Sequence, residues 1–147
     1  MRKILVLLTL LVFTSPCFSA GVGYINYEKV ASEYQFAKAT MREIETKGRE
    51  IEQYLKNKEA EFAKLETPLQ KQKFQETVQA ELKTKERAFN DFRNKREDEV
   101  YNRIHAVAEK IRLEKGLDVL IDARGVFSGG VDISDILIQK LNANGMK

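Results

Sequence analysis

Few side chains in this sequence are of the kind that make or break bonds. His105 is the only histidine. It stands between Ile104 and Ala106 with no second His or Cys at ligand spacing, so it does not complete a transition-metal site. Gly125-Val-Phe-Ser-Gly129-Gly130 has the glycines of a phosphate loop without its lysine, and no Gly-x-x-x-x-Gly-Lys occurs. Ser128 has no neighbouring base that would activate it. Asp118, Asp122, Asp132 and Asp135 crowd the C-terminal stretch. The first two read as strand-surface residues and the last two as helix caps, not as an acid–base pair. These residues point away from an enzyme, and to no cofactor and no metal. Binding chemistry is left. Lys56, Lys58, Lys64, Lys71 and Lys73 form a basic group, interleaved with Glu59, Glu61, Glu66 and Glu76. Such a group is either a partner contact or the solvated surface of a helix. Phe36 and Tyr54 lie eighteen residues apart, five full helical turns, and so share a face. They either line an enclosed interior or are ordinary exposed aromatics.

The stretch that carries these residues runs from Glu28 to Lys115. On its ascending side apolar residues fall at Val30, Tyr34, Ala37, Met41, Ile44, Ile51, Leu55, Phe62, Leu65 and Leu69, with Gly48 and Lys58 as interruptions. Steps of three and four residues make a heptad seam. Thr67-Pro68-Leu69-Gln70 then writes a helix start: a hydroxyl cap, a proline where no donor is needed, and a glutamine that can reach back. The spacing predicts two antiparallel helices turning near 66–70. The alternative is a single helix kinked at Pro68, which would hold its two flanking segments some ~130 Å apart. On the descending side, positions 74, 85, 96 and 107 share one face at an 11-residue period, with Lys85 and Arg96 filling two of the four slots. That period opposes a uniform left-handed coil and predicts a loosely packed, bendable arm. Gly116 follows the last turn as a helix stop.

Met1–Ala20 has a basic start at Arg2-Lys3, an apolar run from Ile4 to Phe13 and a small-residue exit. This is a cleavable export signal, cut after Ser19 or Ala20, and Pro16 before Cys17 disfavours a lipid anchor. Its removal deletes two cations and the only Cys, leaving 23 Lys and Arg against 22 Asp and Glu. Stability outside the cell must then come from packing or oligomerisation without disulfides. The near-neutral balance also argues against a nucleic-acid partner.

Strands are expected at 22–27, 117–122 and 125–128, followed by a short C-terminal helix. The fold class is therefore mainly α with a small β body. Residues 21–27 and 116–147 form the body and 28–115 the arm. Leu117, Val119 and Ile121 alternate onto one face, and with Val126 and Phe127 they are the candidate oligomer core. Three short strands and one helix do not make a stable unit alone. Repeating them about a symmetry axis would complete the core.

Val22-Gly-Tyr-Ile-Asn-Tyr-Glu-Lys-Val30, the charged hairpin, Leu120-Ile-Asp-Ala-Arg-Gly-Val-Phe127 and Val131-Asp-Ile-Ser-Asp-Ile-Leu-Ile138 together resemble the Skp/OmpH family of periplasmic chaperones. The similarity covers essentially the whole mature chain and departs from the family in the capped proline and the weakly basic tip. It implies a jellyfish-like homotrimer in the periplasm that encloses unfolded outer-membrane proteins without ATP. A basic inner surface would also favour an anionic membrane or lipopolysaccharide, although no lipopolysaccharide site is carried over. The competing expectation is a secreted coiled-coil spacer or adaptor with no client-holding activity.

Overall fold

The computed structural model describes residues 21–144. The export signal expected at Met1–Ala20 lies outside the described residues. In chain order the elements are β1 (Val22–Ile25), α1 (Tyr27–Glu33), α2 (Gln35–Phe62), α3 (Pro68–Glu114), β2 (Val119–Asp122), a 3-10 turn (Ala123–Gly125), β3 (Val131–Asp132) and α4 (Ser134–Asn144).

Helices α2 and α3 form the antiparallel hairpin, not one kinked helix. Tyr54 meets Glu81, Phe62 meets Phe74, and Gly48 faces Phe89, a single antiparallel register. The chain reverses over Ala63–Thr67, where the Lys64 and Leu65 amides tighten the end of α2 by donating to Glu61 and Phe62. The restart is the expected capping box. The Gln70 amide donates to the Thr67 hydroxyl at 3.2 Å and the Thr67 amide to the Gln70 side chain at 3.1 Å.

The ascending helix does not start at Glu28 and run on. It breaks at Tyr34, whose ψ of 117° is extended. The groups freed by the break are satisfied from far away in sequence. The Asn142 side chain accepts from the Gln35 amide at 2.9 Å and donates to the Glu33 carbonyl at 3.2 Å. Restarting at Gln35 resets the helical phase, so Thr40 takes the buried position expected of Met41, which is exposed. From there the seam runs Ala37, Thr40, Ile44, Gly48, Ile51, Leu55, Lys58 and Phe62, all buried or half-buried.

Strand β1 is central in a three-stranded sheet of order β2-β1-β3, and it is parallel to both neighbours. Val22 pairs with Val119, Gly23 with Leu120 and Tyr24 with Ile121. Parallel strands need a crossover rather than a tight turn. The whole hairpin is the crossover between β1 and β2. The crossing from β2 to β3 uses the 3-10 turn and then Gly129 and Gly130, at φ 79° and 91°. This corrects the strand expected at 125–128. The chain there is still travelling to the far edge of β1, and the third strand forms only at Val131–Asp132.

Helix α3 ends in a Schellman motif. Gly116 is at φ 63°, its amide donates to Leu113, and the Leu117 amide donates to Arg112. Leu117 is thereby turned into the core with Val30, Tyr34, Val100, Ile104, Ala108, Ile111, Ile133, Leu137, Ile138 and Leu141. Its placement on one face with Val119 and Ile121 is a second correction. The strand starts only at Val119, so Leu120 packs inward while Val119 and Ile121 are 43% and 37% exposed on the opposite face. Gly23 allows the close approach behind Leu120. A Cβ there would sit 2.6 Å from Leu120 and 2.7 Å from Leu117.

Candidate functional site

Among the described residues, no cluster of three His, Cys, Asp or Glu is arranged to hold a metal, and no helix is long and apolar enough to cross a membrane. His105 is exposed on α3 and stacks on Tyr101 at 6.0 Å. The surfaces that remain are the arm and the outer face of the body.

Charged side chains enter the otherwise apolar seam of the arm at its root and again near its tip. At its root, Arg96 reaches across α2 to Glu43 at 3.0 Å and to the Thr40 hydroxyl at 3.3 Å, while its other nitrogen holds Glu99 at 2.5 Å. Arg103 pairs with the same Glu99 at 2.8 Å. Hydrogen bonding to Arg103, with Arg96 beside it, holds the Glu99 carboxyl below the ordinary carboxylate range. The Arg103 guanidinium lies 4.1 Å from the Phe36 ring and that of Arg96 lies 5.2 Å from it. Phe36 is therefore clasped between α2 and α3.

Farther out, the Tyr54 hydroxyl donates to Glu81 across the hairpin at 2.5 Å, and this bond pushes the phenol up to about 12. Lys85 sits 4.7 Å over the Tyr54 ring. Lys58, the cation in a seam position, lies over Tyr54 and Phe74 at 5.7 and 5.6 Å and pairs with Glu61 at 2.9 Å. Lys71 covers Phe62, whose ring meets Phe74 at 6.1 Å. The ammonium groups thus cap ring faces while their stems cover apolar surface.

The candidate binding residues therefore separate into two sets. Phe36, Tyr54, Lys58 and Lys71 are engaged between the helices. Lys56, Lys64 and Lys73 are exposed, and among the described residues they make no ion pair. Sequence reasoning missed Thr40, Arg96 and Arg103 as a cluster. The one signal was Arg96 falling on the apolar face at the 11-residue period.

On the body, Val22, Val119 and Ile121 are exposed together on the outer face of the sheet. Beside them, between β2 and α3, a cavity of about 570 Å³ is lined by Ile25, Tyr27, Tyr101, Ile104 and Ala108. Desolvation, with Tyr101 and Glu97 nearby, raises the Tyr27 phenol. Of the other expected oligomer-core residues, Val126 is half-buried and Phe127 is fully exposed at the crossover.

These features coincide with a known family. The model of the family described as outer membrane protein (OmpH-like) matches residues 21–141, and the chain belongs to that family. A crystal structure of an OmpH-like protein from Caulobacter crescentus CB15 has the same fold. It shares 16% identity at a TM-score of 0.50 and covers 84% of this chain and 85% of its own. No curated protein matches the chain at a significant level. Family membership supports a chaperone role.

Proposed function

We propose that the protein is an exported, ATP-independent holdase. It assembles as a trimer in the periplasm through its body, and its arms enclose unfolded outer-membrane proteins and keep them from aggregating. The observation that carries this reading is the division of the chain. An apolar sheet face is left uncovered on a well-packed body, and a long hairpin projects from it with a weak seam. Many weak contacts distributed over such arms hold a client without a nucleotide-driven stroke, and release follows when client folding or insertion competes. The exposed Lys56, Lys64 and Lys73 speed encounter with an acidic client or an anionic surface, an effect that salt screens.

The test is aggregation of a urea-unfolded porin diluted into buffer with the mature protein, alongside a mass measurement. The holdase reading expects a trimer that suppresses light scattering. A protein that leaves the porin's aggregation unchanged would instead be a spacer. Val119→Asp places a charge on the uncovered sheet face and is expected to yield monomers. A Val119→Asp protein that sediments like wild type would put the subunit contact elsewhere.

A further inference from the structure

A holdase needs apolar surface to hold with, and the outside of the arm offers almost none. Among the described residues between Glu45 and Glu99, Leu69 at the tip is the only large apolar side chain that is exposed. The apolar content of that span is in the seam: Ile51, Leu55, Phe62, Phe74, Val78 and Leu82, each half-buried against the opposite helix. None of the described residues from 45 to 99 is buried.

Several features keep this seam shut only weakly. Gly48 leaves a thin point opposite Phe89, where an added Cβ would make only an ordinary contact at 3.9 Å, and glycine inside a helix lowers its stability. Lys58 occupies the seam, held by ring faces and the single carboxylate of Glu61, and the exposed Lys85 lies over the Tyr54 ring at its edge, contacts at the solvent edge that yield to competition. The heptad pattern on α2 and the 11-residue pattern on α3 favour opposite windings. Toward the body, Ile44, Val100 and the Arg96 cluster close the seam firmly. A parting of the helices would therefore stop at about Gly48 and Phe89.

We propose that the distal arm is a self-covered binding surface: α2 and α3 part between Gly48 and the tip, and the seam they expose takes the apolar side chains of an extended, unfolded β-barrel segment. This inference rests on the holdase reading and deepens it by naming the surface. Such a segment presents apolar side chains on one face about every 7 Å, against a ~5 Å mean rise between seam positions on one helix, so the seam would hold it through many non-registered apolar contacts rather than a fixed register. Freed Lys58 and Lys85 would face the client's polar edge. Without a client the helices cover one another, which keeps an exported chain from self-association through an exposed stripe.

The experiment staples the seam. Leu55 and Leu82 share the antiparallel register of Gly48 and Phe89, and the mature chain has no cysteine of its own. Leu55→Cys with Leu82→Cys is oxidised or kept reduced, and each form is titrated against aggregation of a urea-unfolded porin, with sedimentation as the check on assembly. The expected result is that the oxidised form needs at least about tenfold more protein than the reduced form of the same variant to give equal protection. Oxidised protein that protects as well as reduced would overturn the inference while leaving the holdase reading standing. Wild type that fails to protect would sink both. A second measurement is independent of cysteine pairing: a benzophenone amino acid in place of Val78 is expected to crosslink to the porin. Crosslinking only to α2 in the presence of porin would also overturn the proposal.

Discussion

The body and the distal arm are built from nearly equal lengths of chain and are held by different physics. In the body, α1, the end of α3, α4 and the sheet close on one core, where Val30, Ile111, Ile133, Leu137 and Leu141 lose almost all contact with water. Its polar groups are tied together across long sequence separations, as in Asn142 bridging the α1–α2 break and Ser134 accepting the Asn26 amide at 2.9 Å. The distal arm has one half-buried stripe per helix and local ion pairs such as Lys47–Glu50 and Lys58–Glu61. Under the proposed function, the difference divides the roles. Stability resides where contacts are non-local and dry, and the arm belongs to the low-stability end of the molecule, where binding elements are drawn from.

The contrast is sharpest in paired truncations. Leu137→Ala, at a site with no exposure, is expected to cost about 2–5 kcal/mol by emptying a packed position. Leu55→Ala in the half-buried seam should cost about 1 kcal/mol, in proportion to the apolar area it shields. Chemical denaturation of both variants measures the two values, and equal losses would mean the arm is as tightly packed as the body.

Gly23→Ala comes next. The added methyl has no room against Leu117 and Leu120, so the sheet must shift, and a loss of about 1–3 kcal/mol is expected. The same Gly→Ala change at Gly48, where the methyl would meet Phe89 at an ordinary contact distance of 3.9 Å, should stabilise the arm slightly through helix propensity. Thermal melts of the pair that move in the same direction would break the comparison.

Thr67→Ala removes half of the capping box at the tip and should cost about 1 kcal/mol. Because the tip is far from the core, the effect is expected as faster amide exchange around 63–72 with little change in global melting.

The smallest effect expected is the pH dependence that Asp132 contributes in the body. The Ser134 hydroxyl and amide, at 2.6 and 2.8 Å, hold the Asp132 carboxyl below its ordinary 3.8. With the folded value depressed, the unfolded chain binds more protons in that window and stability rises with pH. The contribution is complete above about 3.8 and is lost as pH falls through the lower folded value. Asp132→Asn should flatten this acid limb of a stability–pH curve, and an unchanged limb would remove the Asp132–Ser134 contact from the account.

Much of the arm was legible in the sequence because its signals are local. Thr67, Pro68 and Gln70 specify the turn within four residues, and Gly116 does the same for the end of α3. The body was legible only in part, because its decisive contacts join distant residues. Nothing near Tyr34 announces a break whose capping group is Asn142. Alternation of Leu117, Val119 and Ile121 is real, but the Schellman turn assigns Leu117 to the core and leaves the other two outward. The third strand was placed early because pairing parallel to β1 demands a longer crossing than the glycines alone suggest. For the candidate site, the exposed Lys56, Lys64 and Lys73 could be read from spacing. The capture of Lys58, Lys71, Phe36 and Tyr54 between helices depends on the register across the hairpin, which no single helix displays.

The central claim is that the body assembles and the arm holds the client. Its most direct test removes the distal arm from the intact protein. Deleting Ile51–Lys85 and joining the ends with a short turn shortens both helices together and leaves every residue of the main core in place. The shortened protein is expected to form the same oligomer as wild type and to lose protection of an unfolded porin. A shortened oligomer that still suppresses aggregation would locate the client surface on the body and contradict the account.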